Sequence, residues 1–126
     1  MESIPESGED CPDYVEGITD EFTTEVSDQY AYQQPMWMEG LGIIEKNSGG
    51  QWIDADGAEE LKVNQSGGML AGNPLILGGL VRAAEAAIQL RGEAGDRQIK
   101  NAKRALAHGV MGPAGQFHSV AILERD

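Results

Sequence analysis

The chain has 126 residues, a formal charge of −12 from 9 basic and 21 acidic side chains, 17 glycines and a single cysteine. That length suits one domain able to bury roughly two-thirds of its unfolded surface. Lone Cys11 excludes an internal disulfide framework and a cysteine-based zinc cluster, no apolar run of about 18 residues offers a membrane span, and the negative charge disfavours nucleic acid.

The acid is concentrated at the start. Ten of the 21 carboxylates lie in residues 1–28, which contain no Lys or Arg, leaving 11 against nine basic groups in the rest. Residues 1–13, with Pro5, Gly8 and Pro12 among the carboxylates, read as an acidic disordered leader, and a domain is expected over 14–126. Cys11 sits among Glu9, Asp10 and Asp13, which oppose thiolate formation, so it is not read as a nucleophile. An acidic leader without a basic region is no secretory signal, and a cytoplasmic protein is expected.

Thr19 is a candidate N-cap, and Phe22–Val26 is β-branched enough for a strand. Pro35 and the glycines at 40 and 42 bracket a short helix. Asn47–Gly50 and Asp54–Gly57 are turn chemistry around a short expected strand, Gln51–Ile53. The Asp-x-Asp-Gly run lacks further carboxylates at calcium-loop spacing and reads as a plain turn. Tyr30 and Trp37 are expected in the core, and no metal site is expected.

Val63–Pro74 is glycine-rich and leads into a long apolar helix ending at Arg91-Gly92, for which Asn73 is the expected N-cap and Pro74 the first helical residue. Polar residues in that helix form one narrow stripe (Arg82, Glu85, Gln89), so a helix packed on most sides is expected. Gly78 and Gly79 suit a close backbone approach. Asp96–Lys103 reads as a polar helical turn, and Arg104–His108 and Ser119–Leu123 as strands around a flexible loop over Gly109–Gln116. A glycine loop entering a helix can offer bare amides and a positive dipole end to an anion or carbonyl oxygen. It matches neither the dinucleotide fingerprint nor a P-loop. Tight packing and ligand binding both explain it, and a phosphate-binding regulatory domain is a third possibility resting on the helix start alone.

Val63-Asn64-Gln65-Ser66-Gly67-Gly68, Gly72-Asn73-Pro74, Gly79, Gln89-Leu90-Arg91-Gly92-Glu93-Ala94-Gly95, Gln98 and Ala107-His108-Gly109 resemble the C-terminal part of a thiolase. The type is that of archaeal acetyl-CoA acetyltransferases and of sterol-carrier or lipid-transfer thiolases. The likeness runs from about Tyr14 to Arg125, with Ser27-Asp28-Gln29-Tyr30-Ala31 and Glu39-Gly40-Leu41-Gly42 matching more weakly. It implies an α/β fold, a C-terminal half-domain with a mixed sheet and a buried helix. It also implies acyl transfer or Claisen-type chemistry on coenzyme A thioesters, the thioester being substrate rather than cofactor.

By the resemblance, a nucleophilic cysteine would come from an N-terminal half that this chain lacks. The implied partners are acyl-CoA and either an N-terminal half or a full thiolase in a homo- or hetero-oligomer. The family's Gly-His-Pro histidine is Asn73 here, which can donate to an oxyanion but cannot take a proton near neutral pH. The late acid/base position falls on His108. The resemblance thus assigns His108 and Asn73 to catalysis and Asn64, Ser66, Gly67, Gly68 and Gly72 to substrate binding, with the role of His118 open. A non-catalytic thiolase-fold fragment or interaction subunit is the alternative.

Overall fold

The computed structural model describes residues 21–112 and 115–126. The expectations for residues 1–13, Cys11 and Thr19 lie outside the described residues. The fold is α/β: a three-stranded mixed sheet of β1 (Phe22–Glu25), β2 (Arg104–Met111) and β3 (Phe117–Glu124), in that order. β1 runs parallel to β2, with Phe22 opposite Arg104; β3 returns antiparallel, with His108 opposite Val120. Val63 adds a parallel bridge to Thr24 outside β1. β2 and β3 run further toward one another than the residues suggested. The expected Gly109–Gln116 loop is therefore shorter than the residues suggested, since Gly109, Val110 and Met111 join the ladder.

Alternation along β2 separates two cores. Ala105 and Ala107 face α5 (Gly78–Arg91) and pack with Ala86, Leu90, Ile99 and Ala102. Met38 of α1 (Gln33–Gly40) forms a second core with Val26 and Val63, joined by Trp37, Leu41 and Trp52. His108 lies on the face of β2 opposite Ala105 and Ala107, and its ring meets Trp37 of α1. Tyr30, expected in the core, is instead exposed and stacks on Tyr32.

Gln51–Ile53 is not a strand but part of helix α2 (Gly49–Asp54), followed by α3 (Gly57–Glu60). The Glu39 carboxylate accepts from the amides of Asn47 and Gly49, which anchors the start of α2. Gly57 is required because Trp52 lies where a Cβ would stand. Of the expected polar turn at 96–103, only Asp96 and Arg97 are helical, in the single 3-10 turn Gly95–Arg97.

The glycine-rich segment carries its own short helix, α4 (Gly68–Gly72), and a 3-10 turn (Leu75–Leu77) before α5. Asn73 is therefore not the N-cap of the long helix. It closes α4 in a left-handed conformation (φ 41°) that asparagine tolerates, and Pro74 precedes the 3-10 turn. Gly92, also left-handed, ends α5 as expected.

α5 lies the opposite way round from its amphipathic pattern. The buried arc holds Gly78, Arg82, Glu85, Ala86, Gln89 and Leu90, so the polar stripe points inward. Gln89 explains the inversion at one end: it donates to Glu85 and to the Arg97 carbonyl and accepts from the Ile99 amide, tying α5 to the segment before β2. Arg97 pairs with Glu85 at 3.0 Å. Gly79 lets α5 approach Gly109 of β2, with 3.7 Å between the position of an added Cβ and the Gly109 Cα.

The helix is consequently not packed on most sides. Leu75, Ile76, Leu77, Leu80 and Val81 are exposed, Ile76 at 98%, as are Met111 and Phe117 at the hairpin end. Contiguous apolar surface of this kind drives association. Light scattering is expected to show a mass that rises with protein concentration, and the double change Ile76→Glu, Leu80→Glu to abolish the rise. A wild-type monomer at all concentrations contradicts it.

Candidate functional site

The end of β1 and the glycine loop are laced together by side chains. Three left-handed residues, Asn64 (φ 51°), Gly67 (φ 85°) and Gly68 (φ 63°), turn the loop back over the strand. The Asn64 amide oxygen accepts from the Val26 N–H at 2.8 Å. Ser66 donates to Glu25 twice, from its backbone (3.1 Å) and its hydroxyl (2.5 Å), and its hydroxyl accepts from the Gly68 N–H. Met69 N–H donates to Asp28 at 2.7 Å. Gly67 N–H reaches the Asn64 carbonyl.

The loop amides at 66–69 are thus all engaged from within, and the expected row of bare N–H groups is absent there. The physical reason is a pair of buried carboxylates aimed at the turn, Glu25 from the end of β1 and Asp28 from the segment that follows it. Among the resemblance-assigned residues, Asn64, Ser66, Gly67 and Gly68 are brought together here. Gly72 ends α4, and Asn73 lies exposed beyond it.

His108 occupies the opposite end of this cluster, on β2, and is 1% exposed. Its Nδ1 accepts from the Ser27 N–H at 3.5 Å, and its Nε2 lies 3.0 Å from Nδ1 of His118. The two rings are inclined by 6° with centroids 5.3 Å apart. At that N···N distance this is the edge-to-edge arrangement of a hydrogen bond, not a face-on stack. The register explains the meeting: Val110 pairs with His118 and His108 with Val120, so the histidines are diagonal neighbours on one face. Trp37 lies edge-on to both rings, at 5.4 Å and 4.8 Å between centroids.

Charge around His108 is buried and unevenly matched. Arg82 of α5 is 3% exposed and donates through Nε to the His108 carbonyl. Burial pulls its guanidinium below the ordinary arginine value while the carboxylates of Asp28 and Glu25 act against that fall. Burial likewise pushes the Glu25 carboxyl up to about 7; the Ser66 hydrogen bonds oppose the rise, and Glu85 and Asp28 add to it. His108 is brought down to about 4, mainly by burial, then by His118 and Arg82. At neutral pH its ring is therefore uncharged. Several buried polar atoms in and near this region lack a hydrogen-bond partner among the described residues: Ser27 Oγ, Asn64 Nδ2, Arg82 Nη1 and Trp37 Nε1.

Glu25, Asp28, Arg82 and Trp37 were not recognisable as site residues from the chain alone. Arg82 looks like part of a solvated stripe, and only its interruption of an otherwise apolar helix hinted at a buried partner. No group of three or more His, Cys, Asp or Glu among the described residues is placed to hold a metal ion. No helix among them is long and apolar enough to cross a membrane.

A three-stranded mixed sheet with α5 packed on its middle strand and a buried histidine midway along that strand defines an α/β domain. The chain belongs to the thiolase C-terminal domain-like family, whose model matches residues 16–125. It is 40% identical over 96 residues to the acetyl-CoA acetyltransferase of Methanothermobacter thermautotrophicus, covering 72% of this chain and 25% of that protein. It is 38% identical over 96 residues to sterol carrier protein 2 of Rattus norvegicus, covering 73% and 18% respectively. Against the non-specific lipid-transfer protein-like 2 of Caenorhabditis elegans the figure is 35% over 82 residues, with 61% and 18% covered. The chain thus spans about a quarter of the archaeal relative and less than a fifth of these animal ones.

Proposed function

We propose that the chain is the C-terminal lobe of a thiolase-type acyltransferase acting on acyl-CoA thioesters, completed by a polypeptide that brings the nucleophile. The observation that carries this reading is His108: a buried, uncharged imidazole on the middle strand of the sheet, inside a family whose archaeal relative bears the name acetyl-CoA acetyltransferase. In this reading His108 serves the second acid/base step by way of His118, whose Nδ1 its Nε2 meets at 3.0 Å. Asn73 offers an amide N–H to the thioester oxygen, and Asn64, Ser66, Gly67, Gly68 and Gly72 shape the loop that carries it. The substrate is the coenzyme A thioester, and no separate cofactor is invoked. Partnership with an N-terminal half or a full thiolase, in a cytoplasmic setting, belongs to the same proposal. The exposed apolar face of α5 supports it.

The test is co-expression with the products of neighbouring genes, followed by thiolysis of acetoacetyl-CoA by free coenzyme A to two molecules of acetyl-CoA. Turnover is expected in one combination and is expected to fall about 10²-fold or more on His108→Ala. No turnover in any combination overturns the reading. A non-catalytic interaction subunit is the second reading, favoured by one observation: the loop amides at 66–69 are already satisfied internally. Isothermal calorimetry with acetoacetyl-CoA separates the two, since a pure interaction subunit releases no heat of binding.

A further inference from the structure

His108 has two ring nitrogens, and both are occupied within the fold. Nδ1 faces the amide of Ser27, and a backbone N–H can only donate, so Nδ1 must be the bare, accepting nitrogen. A neutral imidazole carries one N–H, so the proton of His108 sits on Nε2. It is given to Nδ1 of His118, 3.0 Å away, which must then be bare in turn. Neutral His118 therefore carries its own proton on Nε2. Three donors consequently point one way: Ser27 N–H to His108, His108 Nε2–H to His118, and His118 Nε2–H onward. His118 is exposed, and its Nε2 has no partner among the described residues.

From this chain of hydrogen bonds we infer that His118 is an oxyanion-binding residue, whose Nε2–H is presented to a carbonyl or enolate oxygen of the acyl group, with His108 and the Ser27 amide as positioning groups behind it. The inference rests on the acyl-thioester reading for its ligand, but its directional part stands on this geometry alone. Each donor polarises the next, so the terminal N–H is a better donor than an isolated imidazole. A neutral imidazole donor suits developing negative charge on oxygen without committing a proton to it. Trp37, lying across both rings, restricts their rotation. Burial and the Arg82 guanidinium keep His108 uncharged, which preserves the direction of the chain. Protonated at Nδ1, His108 would confront the Ser27 N–H with a second hydrogen. Glu25 at the end of β1 and Asp28 just beyond it are held by Ser66 and Met69, and no hydrogen bond joins them to either ring.

The experiment is long-range ¹H–¹⁵N correlation NMR of the full chain at pH 8, with the histidines ¹⁵N-labelled. Both histidines are expected as Nε2–H tautomers. His108 as the Nδ1–H tautomer, or His118 with its proton on Nδ1, overturns the inference. His108→Gln keeps an amide N–H near the old Nε2 and is expected to leave the His118 tautomer unchanged. His108→Phe removes the donor and is expected to give a mixture; an unchanged His118 in that variant overturns the positioning role. Acetoacetyl-CoA is then titrated into the wild-type chain. A shift of the His118 Nε2–H resonance is expected. His118→Phe is expected to weaken binding about tenfold, the worth of one good hydrogen bond, and His118→Gln to restore most of it. Calorimetric heat without a His118 shift overturns the ligand assignment alone. No heat with both tautomers as expected overturns the acyl-thioester reading and leaves the directional chain intact.

Discussion

Gly68→Ala is expected to cost about 3 kcal/mol of stability and to lower the melting temperature by more than about 10 °C, read by thermal unfolding in circular dichroism. Two effects add. Residue 68 has φ 63°, where a Cβ costs roughly 1 kcal/mol. That Cβ would also lie 1.9 Å from Asp28 Oδ2 and 2.5 Å from its Cγ. Asp28 is 4% exposed and holds the Met69 amide, so it can retreat only by surrendering that bond and leaving a buried carboxylate underpartnered. The cause can be isolated by repeating the change in an Asp28→Ala background. There only the backbone penalty of about 1 kcal/mol is expected to remain. An equal cost in both backgrounds rejects the clash as the origin.

The same contact shows what could and could not be read from the amino-acid order. The glycine at 68 was visible within its motif, and so was the likeness that motif carries. What made it obligatory is Asp28, forty residues earlier, and no local pattern reveals such a partner. Strands β1, β2 and β3 were legible because their apolar and β-branched residues crowd into short runs bounded by turns. The end of α5 was legible because Gly92 supplies the left-handed cap. The orientation of α5 was not. Amphipathic reasoning assigns Arg82, Glu85 and Gln89 to solvent, yet each is buried against a backbone or charged partner: the His108 carbonyl, Arg97, and the 97–99 segment. Apolar residues then remain outside, which local pattern alone reads as burial. Gln51–Ile53 misled for a different reason. Three residues are too few to separate helix from strand, and the deciding group, the Glu39 carboxylate, belongs to the preceding helix. His108 was singled out by likeness and is buried in the cluster, whereas its pairing with His118 depends on hairpin register, which the glycines at 109, 112 and 115 left undetermined.

Glu25 and His108 are expected to give the protein a stability profile that is nearly flat with pH because two steep dependences oppose each other. His108 titrates at about 4 when folded against 6.5 ordinarily. Between those values the unfolded chain takes a proton that the folded one refuses, so this group destabilises the fold as pH drops from 6.5 toward 4. Glu25 titrates at about 7 when folded against 4.5 ordinarily. Between 4.5 and 7 the folded chain holds a proton that the unfolded one releases, so this group destabilises the fold as pH rises through that range. Each gap corresponds to a few kcal/mol at most, and both operate over pH 4.5–6.5 with opposite sign. Glu25→Gln removes one arm and keeps the amide partnership with Ser66. Urea midpoints for that variant are expected to fall progressively from pH 6.5 to 4.5, with a loss of unfolding free energy on the order of 2 kcal/mol. His108→Gln removes the other arm, and its midpoints are expected to fall instead as pH rises from 4.5 to 7. Parallel profiles for the two variants would mean that the buried carboxyl and the buried imidazole do not titrate against each other, and the electrostatic description of the cluster would fail with them. A crossing of the two curves inside this window is the expected result, and it ties the uncharged state of His108 at neutral pH, on which its proposed chemistry depends, to a measurement that requires no substrate.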